Sequence, residues 1–191
     1  MTGQPEANLS PYKEMGLQLR EDRKEATHSN QVWAMDFVHD QLAPGRKMRI
    51  LRVVGSFSRF SPVVDPRFNY KVEDVVQTLE RICGAVGYPQ LIRGDNGSEF
   101  VSRDLDQWAY QKGVILDFSR PGKPTDNSFI ESFNGQFRAG CLNTHRFMSL
   151  DHARLKLEDW RRDYNEFRPH SAIGNKVSIS LTNGASASPL A

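Results

Sequence analysis

Three carboxylate side chains stand beside apolar segments of this sequence in a way that could serve one reaction. Asp36 lies within an alternating apolar segment, Asp95 comes shortly after the apolar pair Leu91-Ile92, and Glu131 lies on a predicted helix. Adjacent strands can bring the first two together, and a helix packed at the end of the sheet can add the third. Converging carboxylates repel one another, and a hard cation with oxygen ligands, such as Mg²⁺, removes that repulsion. Two such ions about 3.5–4 Å apart stabilise both the attacking and the leaving oxygen of a phosphoryl transfer.

Each of these carboxylates also has an ordinary structural explanation. Asp36 could cap the end of a strand, Asp95-Asn96-Gly97 is a common turn sequence, and Glu131 could be a solvated surface residue. The apolar setting of Asp36 fits the ordinary explanation least well, because an unpaired buried carboxylate is costly. No spacing of His or Cys residues suits zinc.

Length and composition indicate one soluble domain. The chain has 191 residues, 38% hydrophobic and 25% charged, with no apolar run of about 18 residues and no signal-like N-terminus. Cys83 and Cys141 lie in apolar stripes, which indicates reduced core residues of a cytoplasmic protein. The net charge of +2 is too small to argue for nucleic-acid binding, so any positive surface must be local.

The order of elements predicts an α/β fold. Alternating or apolar segments at 32–39, 48–54 and 59–65 predict three strands joined by short turns, and 91–92 and 114–118 predict two more. We therefore expect a mixed sheet, with a three-strand antiparallel meander plus two parallel strands and helices on both faces.

Helical periodicity lies between and after the later strands. The apolar pattern at 72–86 is the clearest, Ser102 is a plausible N-cap for a second helix, and Ser149 is a plausible N-cap for a long amphipathic one. We expect a polar arm at 1–29, a core at 30–174 and a flexible tail at 175–191.

The stretch 123–138 begins with turn residues and continues as a helix with two different faces. Ile130, Phe133 and Phe137 form an apolar stripe. The other face is rich in short amide side chains and suits close approach by another molecule; it carries Asn127, Glu131, Asn134, Gly135 and Arg138.

Four segments together resemble a known family. They are Trp33-Ala34-Met35-Asp36-Phe37-Val38, Arg93-Gly94-Asp95-Asn96-Gly97-Ser98-Glu99-Phe100, residues 120–127 with 129–135, and Tyr164-Asn165 with Arg168-Pro169-His170. Thirty-five residues separate Asp95 from Glu131, and Arg138 follows Glu131 by seven. In these features the sequence resembles the integrase-type catalytic core of bacterial insertion-sequence transposases, the OrfB kind, within the retroviral integrase superfamily.

The resemblance implies a ribonuclease-H-like fold and two Mg²⁺ or Mn²⁺ ions held by Asp36, Asp95 and Glu131. It implies an enzyme that nicks DNA at the end of a mobile element and transfers the 3′ hydroxyl to another phosphodiester. The expected partners are double-stranded DNA, further copies of the chain, and an upstream helix-turn-helix protein, in the bacterial cytoplasm at the nucleoid. The expected DNA contacts are Arg120, Lys123, Asn127, Asn134 and Arg138.

The sequence departs from the family pattern in three places. Gly55-Ser56 stands where the family commonly has an Asp, and Gly140 falls within the predicted helix where an acidic residue is usual. The usual upstream helix-turn-helix segment is missing. A catalytically idle DNA-binding fragment and a simple nuclease of the same fold are therefore alternatives. The segment 164–170 could pack the last helix or touch DNA.

Overall fold

A five-stranded mixed sheet forms the centre of the computed structural model, which describes residues 26–94, 100, 102–118 and 128–182. The strands lie side by side in the order β3-β2-β1-β4-β5. Their bounds are β1 Val32–Gln41, β2 Lys47–Gly55, β3 Val63–Arg67, β4 Leu91–Gly94 and β5 Ile115–Phe118.

The pairing directions confirm the predicted sheet. The first three strands pair antiparallel as a meander, whereas β4 pairs parallel to β1 and β5 pairs parallel to β4. The two crossovers each contain a helix, as parallel connections require.

Four α-helices in the described part of the chain cover the sheet. They are α1 Val72–Val86, α2 Arg103–Lys112, α3 Ser128–Gly140 and α4 Leu150–Glu166. Ser102 and Ser149 are N-caps as predicted, because each hydroxyl accepts a backbone N–H three residues later. Gly113 ends α2 in the left-handed conformation at φ +68°, which glycine adopts without steric cost.

Each face of the sheet has its own apolar core, so the predicted two-sided arrangement is confirmed. Alternation along β1 sends Trp33 and Met35 to one side and Ala34 and Val38 to the other. The first side is covered by α1 and α2, through Val75, Leu79, Ile82, Cys83, Leu105, Trp108 and Ala109. The second is covered by α3 and α4, through Ile130, Phe133, Phe137, Ala153, Leu157, Trp160 and Tyr164.

The third strand differs from the prediction. The sequence predicts a strand at 59–65 that stops before Pro66, whereas β3 begins at Val63 and continues through Pro66 to Arg67. Arg59 has a φ of +62°, so the chain is still turning there. Pro66 is tolerated because β3 is an edge strand, where one side of the backbone needs no ladder partner.

The end of the described chain has more structure than the predicted tail. Pro169–His170 pairs with Lys176–Val177, and a 3₁₀ turn follows at Ser178–Leu181. The Ser29 hydroxyl donates to the Leu181 carbonyl, which ties this segment to the start of the described chain. Residues 183–191 lie outside the described residues.

Two remaining expectations concern membranes and cysteines. Within the part of the chain that the structure describes, no helix combines the length and the apolar character needed to cross a membrane. Cys83 and Cys141 are free and buried, and burial raises the pKa of each thiol to about 12. Both are therefore inert core residues, as predicted.

Candidate metal and DNA site

Asp36 lies in the middle of the central strand β1, on the face covered by α3 and α4. Its neighbours Met35 and Phe37 point to the opposite face, as strand alternation requires. The Asp36 side chain is 14% exposed. The structure therefore places this carboxylate on the face predicted for it, close to the surface of the second core.

Asn134 connects α3 to Asp36. Its Nδ2 donates to Asp36 Oδ2 at 2.8 Å. The apolar stripe of the same helix, Ile130, Phe133 and Phe137, is buried against the sheet as predicted. The packing of that stripe thus positions the polar edge of α3 beside Asp36.

Glu131 lies in the first turn of α3 and is exposed. It precedes Asn134 by three residues, and side chains three apart on a helix are neighbours with Cβ atoms about 5–6 Å apart. Glu131 therefore lies one helical turn before the residue that contacts Asp36.

The third carboxylate follows the last residue of β4. Gly94 pairs with Met35 in the parallel register, so β4 ends one residue short of the level of Asp36. Asp95 itself lies outside the described residues, as do three of the predicted DNA contacts, Arg120, Lys123 and Asn127.

Arg52 is the residue of this site that the sequence prediction missed. It is the direct cross-strand partner of Asp36 in the β1–β2 register, and it is 0% exposed. Its Nη2 donates to Asp36 Oδ2 at 2.6 Å and also to Asn134 Oδ1. The available signal was an arginine flanked by Leu51 and Val53 in a predicted buried strand, because a buried arginine requires an anionic partner.

The charges around Arg52 act in opposite directions. Burial lowers the pKa of the Arg52 guanidinium, Asp36 raises it through charge and hydrogen bonding, and the positive charge of Arg138 lowers it. An arginine side chain remains protonated in proteins, so Asp36 and Arg52 form a buried ion pair.

The donor chemistry fits a hard divalent cation. Asp36 and Glu131 supply carboxylate oxygens, the ligands that Mg²⁺ and Mn²⁺ prefer. Within residues 26–94, 100, 102–118 and 128–182, no group of three or more His, Cys, Asp or Glu side chains could hold a metal. The predicted third ligand, Asp95, lies outside these residues.

The two described DNA-contact predictions have different settings. Arg138 is exposed in the last turn of α3, seven residues after Glu131 and hence on the same face. Asn134 is predicted to face DNA, but in the structure both ends of its amide are hydrogen-bonded within the protein, to Asp36 and Arg52. Its observed role is to join α3 to the first two strands.

The segment 164–170 packs the last helix. The Tyr164 ring contacts the Phe133 ring edge-on at 5.0 Å, and Asn165 exchanges two hydrogen bonds with the backbone of Ser61, at 2.8 and 2.9 Å. The segment also borders a cavity of about 620 Å³ beside α3, which Arg59, Ser132, Gln136, Arg168, His170 and Asn175 help to line.

Gly140 is the last residue of α3 and not an interior helix residue, so the interior glycine cost does not apply. A Cβ at this position would lie 3.1 Å from Trp160 Nε1 and 3.2 Å from Arg168 Nη1. The missing side chain therefore permits the end of α3 to approach α4 closely.

Protonation of His170 is expected to destabilise the fold. Burial lowers its pKa, opposed by the hydrogen bond from Nε2 to the Tyr164 carbonyl. An unfolded histidine titrates near about 6.5, so His170 contributes full stability above that pH and loses it as pH falls through the lower folded pKa. The thermal unfolding midpoint is measured at pH 7.5 and at pH 5.5, each about one unit from that value. The drop in midpoint from the higher to the lower pH should be smaller in His170→Gln than in the wild type. A fall in His170→Gln as large as in the wild type would contradict the prediction.

Sequence comparisons find family models and relatives that match most of this chain. One model described as "Integrase core domain" matches residues 26–124, and a second with the same description matches residues 112–177. The 31.7 kDa protein of insertion element IS407 from Burkholderia multivorans is 44% identical over 85% of this chain. The 39.2 kDa protein of insertion element IS476 from Xanthomonas euvesicatoria is 41% identical over 85% of it. The matched regions span 63% and 51% of those two relatives.

Solved structures share the fold. A chain of the simian T-cell lymphotropic virus intasome superposes with a TM-score of 0.72 at 17% identity, covering 88% of this chain and 59% of that one. The HTLV-2 integrase catalytic core domain in complex with magnesium superposes with a TM-score of 0.58 at 17% identity, covering 82% and 97%. The ribonuclease-H-like fold is thereby confirmed. The family models, covering residues 26–177 between them, together with this fold and the insertion-element relatives, show that the chain belongs to the integrase core domain family.

Proposed function

We propose that the chain is the catalytic core of an insertion-sequence transposase. It cleaves DNA at the end of a mobile element and transfers the freed 3′ hydroxyl to another phosphodiester. The observation that best supports the proposal is the contact between Asn134 of α3 and Asp36 of β1, since Glu131 precedes Asn134 by one helical turn and Asp95 follows β4 in the sequence.

The similarity to proteins of insertion elements also supports DNA transposition as the reaction. The relatives with the highest identities quoted above are encoded by insertion elements, and a further relative, 26% identical over 79% of this chain, is the transposase for insertion sequence element IS904 of Lactococcus lactis. Because the chain spans only part of each relative, the reaction of a whole transposase is carried over as part of this proposal.

The residues of the site divide the work between them. Asp36, Asp95 and Glu131 would hold two divalent ions, which would supply charge stabilisation to the oxygens of the phosphodiester. Asn134 fixes the Asp36 carboxylate against α3. Glu131 projects from an exposed helical turn, where a DNA phosphate can reach it. The protein contributes positioning and charge stabilisation and forms no covalent bond to DNA.

The expected partners are DNA, further copies of the chain and a helix-turn-helix protein. Arg138, on the Glu131 face of α3, contacts DNA phosphates, as do Arg120, Lys123 and Asn127, which precede α3 in the sequence. Such contacts make the affinity fall as salt concentration rises. Two element ends have to be held together, so the active form is an oligomer on DNA, supplemented by an upstream helix-turn-helix protein.

Labelled duplexes carrying candidate element ends, taken from the DNA on either side of the coding sequence, provide the test. We expect Mg²⁺-dependent nicking at the element end, followed by joining of the labelled 3′ end to a second duplex. Chelator and a scrambled duplex of equal length are the controls. Tight, salt-sensitive binding without cleavage would instead support the idle DNA-binding fragment, and cleavage without joining would support the simple nuclease.

A further inference from the structure

The guanidinium of Arg52 forms an ion pair with the Asp36 carboxylate. The two residues are direct partners across β1 and β2, and their side chains meet at 2.6 Å. Arg52 is fully buried, and its guanidinium carbon lies 5.4 and 4.8 Å from the ring centres of Phe133 and Phe137. Aromatic faces attract a cation, so this pocket is built to retain a positive charge.

The pocket leaves some hydrogen-bond donors of the Arg52 guanidinium without acceptors. Among the residues that the structure describes, Nε and Nη1 of Arg52 have no hydrogen-bond acceptor, whereas Nη2 serves both Asp36 and Asn134. A buried arginine with unmatched donors carries a desolvation cost. We therefore attribute its presence to its neutralisation of the Asp36 carboxylate.

We propose that Arg52 is a resident counter-charge for Asp36 that weakens divalent-cation binding at this site. The inference rests on the proposed role of Asp36 as a metal ligand. One oxygen of Asp36 is already shared by two donors, and a fixed positive charge next to that carboxylate repels any cation that approaches it. The same charge keeps Asp36 neutralised without metal, so the fold does not depend on metal for stability.

The substitutions Arg52→Gln and Arg52→Lys separate charge from hydrogen bonding. Glutamine keeps a donor toward Asp36 but removes the charge, whereas lysine keeps the charge. Arg49→Gln is the matched control, because Arg49 lies on the same strand with its guanidinium carbon 4.3 Å from the ring centre of Phe37, on the opposite face of the sheet.

Mn²⁺ binding by calorimetry and thermal unfolding in chelator are the two measurements. We expect Arg52→Gln to bind Mn²⁺ with a Kd lowered about tenfold or more, to unfold at a lower temperature in chelator, and to regain stability as Mn²⁺ is added. Arg52→Lys and Arg49→Gln should bind Mn²⁺ like the wild type. Asp36→Asn added to Arg52→Gln should remove the gain in affinity.

Three results would overturn the inference. They are an unchanged or weaker Mn²⁺ affinity in Arg52→Gln, a gain that persists without the Asp36 carboxylate, and a variant that stays unfolded at saturating Mn²⁺. These measurements use no DNA, so their outcome is independent of the DNA cleavage and joining assay. A wild-type protein that cleaves and joins DNA, with no gain in Arg52→Gln, would refute only the counter-charge; the converse would refute only the transposase reaction.

Discussion

Glu131→Gln is expected to reduce Mg²⁺-dependent DNA cleavage and joining by about 100-fold or more. The glutamine keeps the size of the side chain but removes the negative charge that a divalent cation requires. Metal ions contribute several kcal/mol to stabilising the transition state, and each 1.36 kcal/mol corresponds to a factor of ten in rate. Initial rates on labelled element-end duplexes, measured at saturating Mg²⁺, provide the comparison.

Glu73→Gln is the matched control for this prediction. Glu73 is also an exposed glutamate in the first turn of a helix, but α1 covers the opposite face of the sheet. Both variants lose the same favourable interaction with a helix dipole, worth about 0.3–1 kcal/mol, so both should unfold at similar temperatures. If Glu131→Gln cleaved and joined DNA as fast as Glu73→Gln, Glu131 would be a surface residue and the assigned site would be wrong.

Phe137→Ala is expected to lower the free energy of unfolding by about 3–5 kcal/mol. Phe137 is 0% exposed, its ring lies edge-on to Trp160 at 4.9 Å, and the Arg52 guanidinium carbon lies 4.8 Å from its centre. Truncation leaves a cavity and removes the aromatic face that supports the buried cation. Since domains are stable by only about 5–15 kcal/mol, the loss should shift the urea midpoint strongly.

Phe167→Ala controls for the loss of a phenyl ring as such. Phe167 follows α4 and is 71% exposed, so its truncation should change stability by no more than about 0.5 kcal/mol. Equal urea midpoints for the two variants would contradict the assignment of α3 as the helix that closes the second core. A smaller loss in Phe137→Leu than in Phe137→Ala would attribute the effect to packing volume.

Elements with strong local signals were predictable from the sequence. The alternation of β1 places Asp36 opposite Met35 and Phe37 whatever surrounds the strand, because the side-chain period of a strand is two. The caps Ser102 and Ser149 act within a single turn, so they mark the starts of α2 and α4 without reference to the rest of the fold. The order of these elements also predicted the meander and the parallel pair.

Interactions between distant residues were not predictable in this way. Pro66 ends a strand by local rules, yet β3 continues through it because the neighbouring strand is on one side only. Likewise, the amide-rich face of α3 did not reveal that Asn134 donates to Asp36, a contact that forms because α3 packs over that residue.

The sequence by itself determined the α/β class, the candidate carboxylates and the resemblance to integrase cores, since these depend on local periodicity and on motif spacing. Only the tertiary structure decided what neutralises Asp36. Arg52 is opposite Asp36 because of the strand register, and it is buried because Phe133 and Phe137 of a distant helix cover it. Register and helix packing join residues far apart in the chain, and no local pattern contains that information.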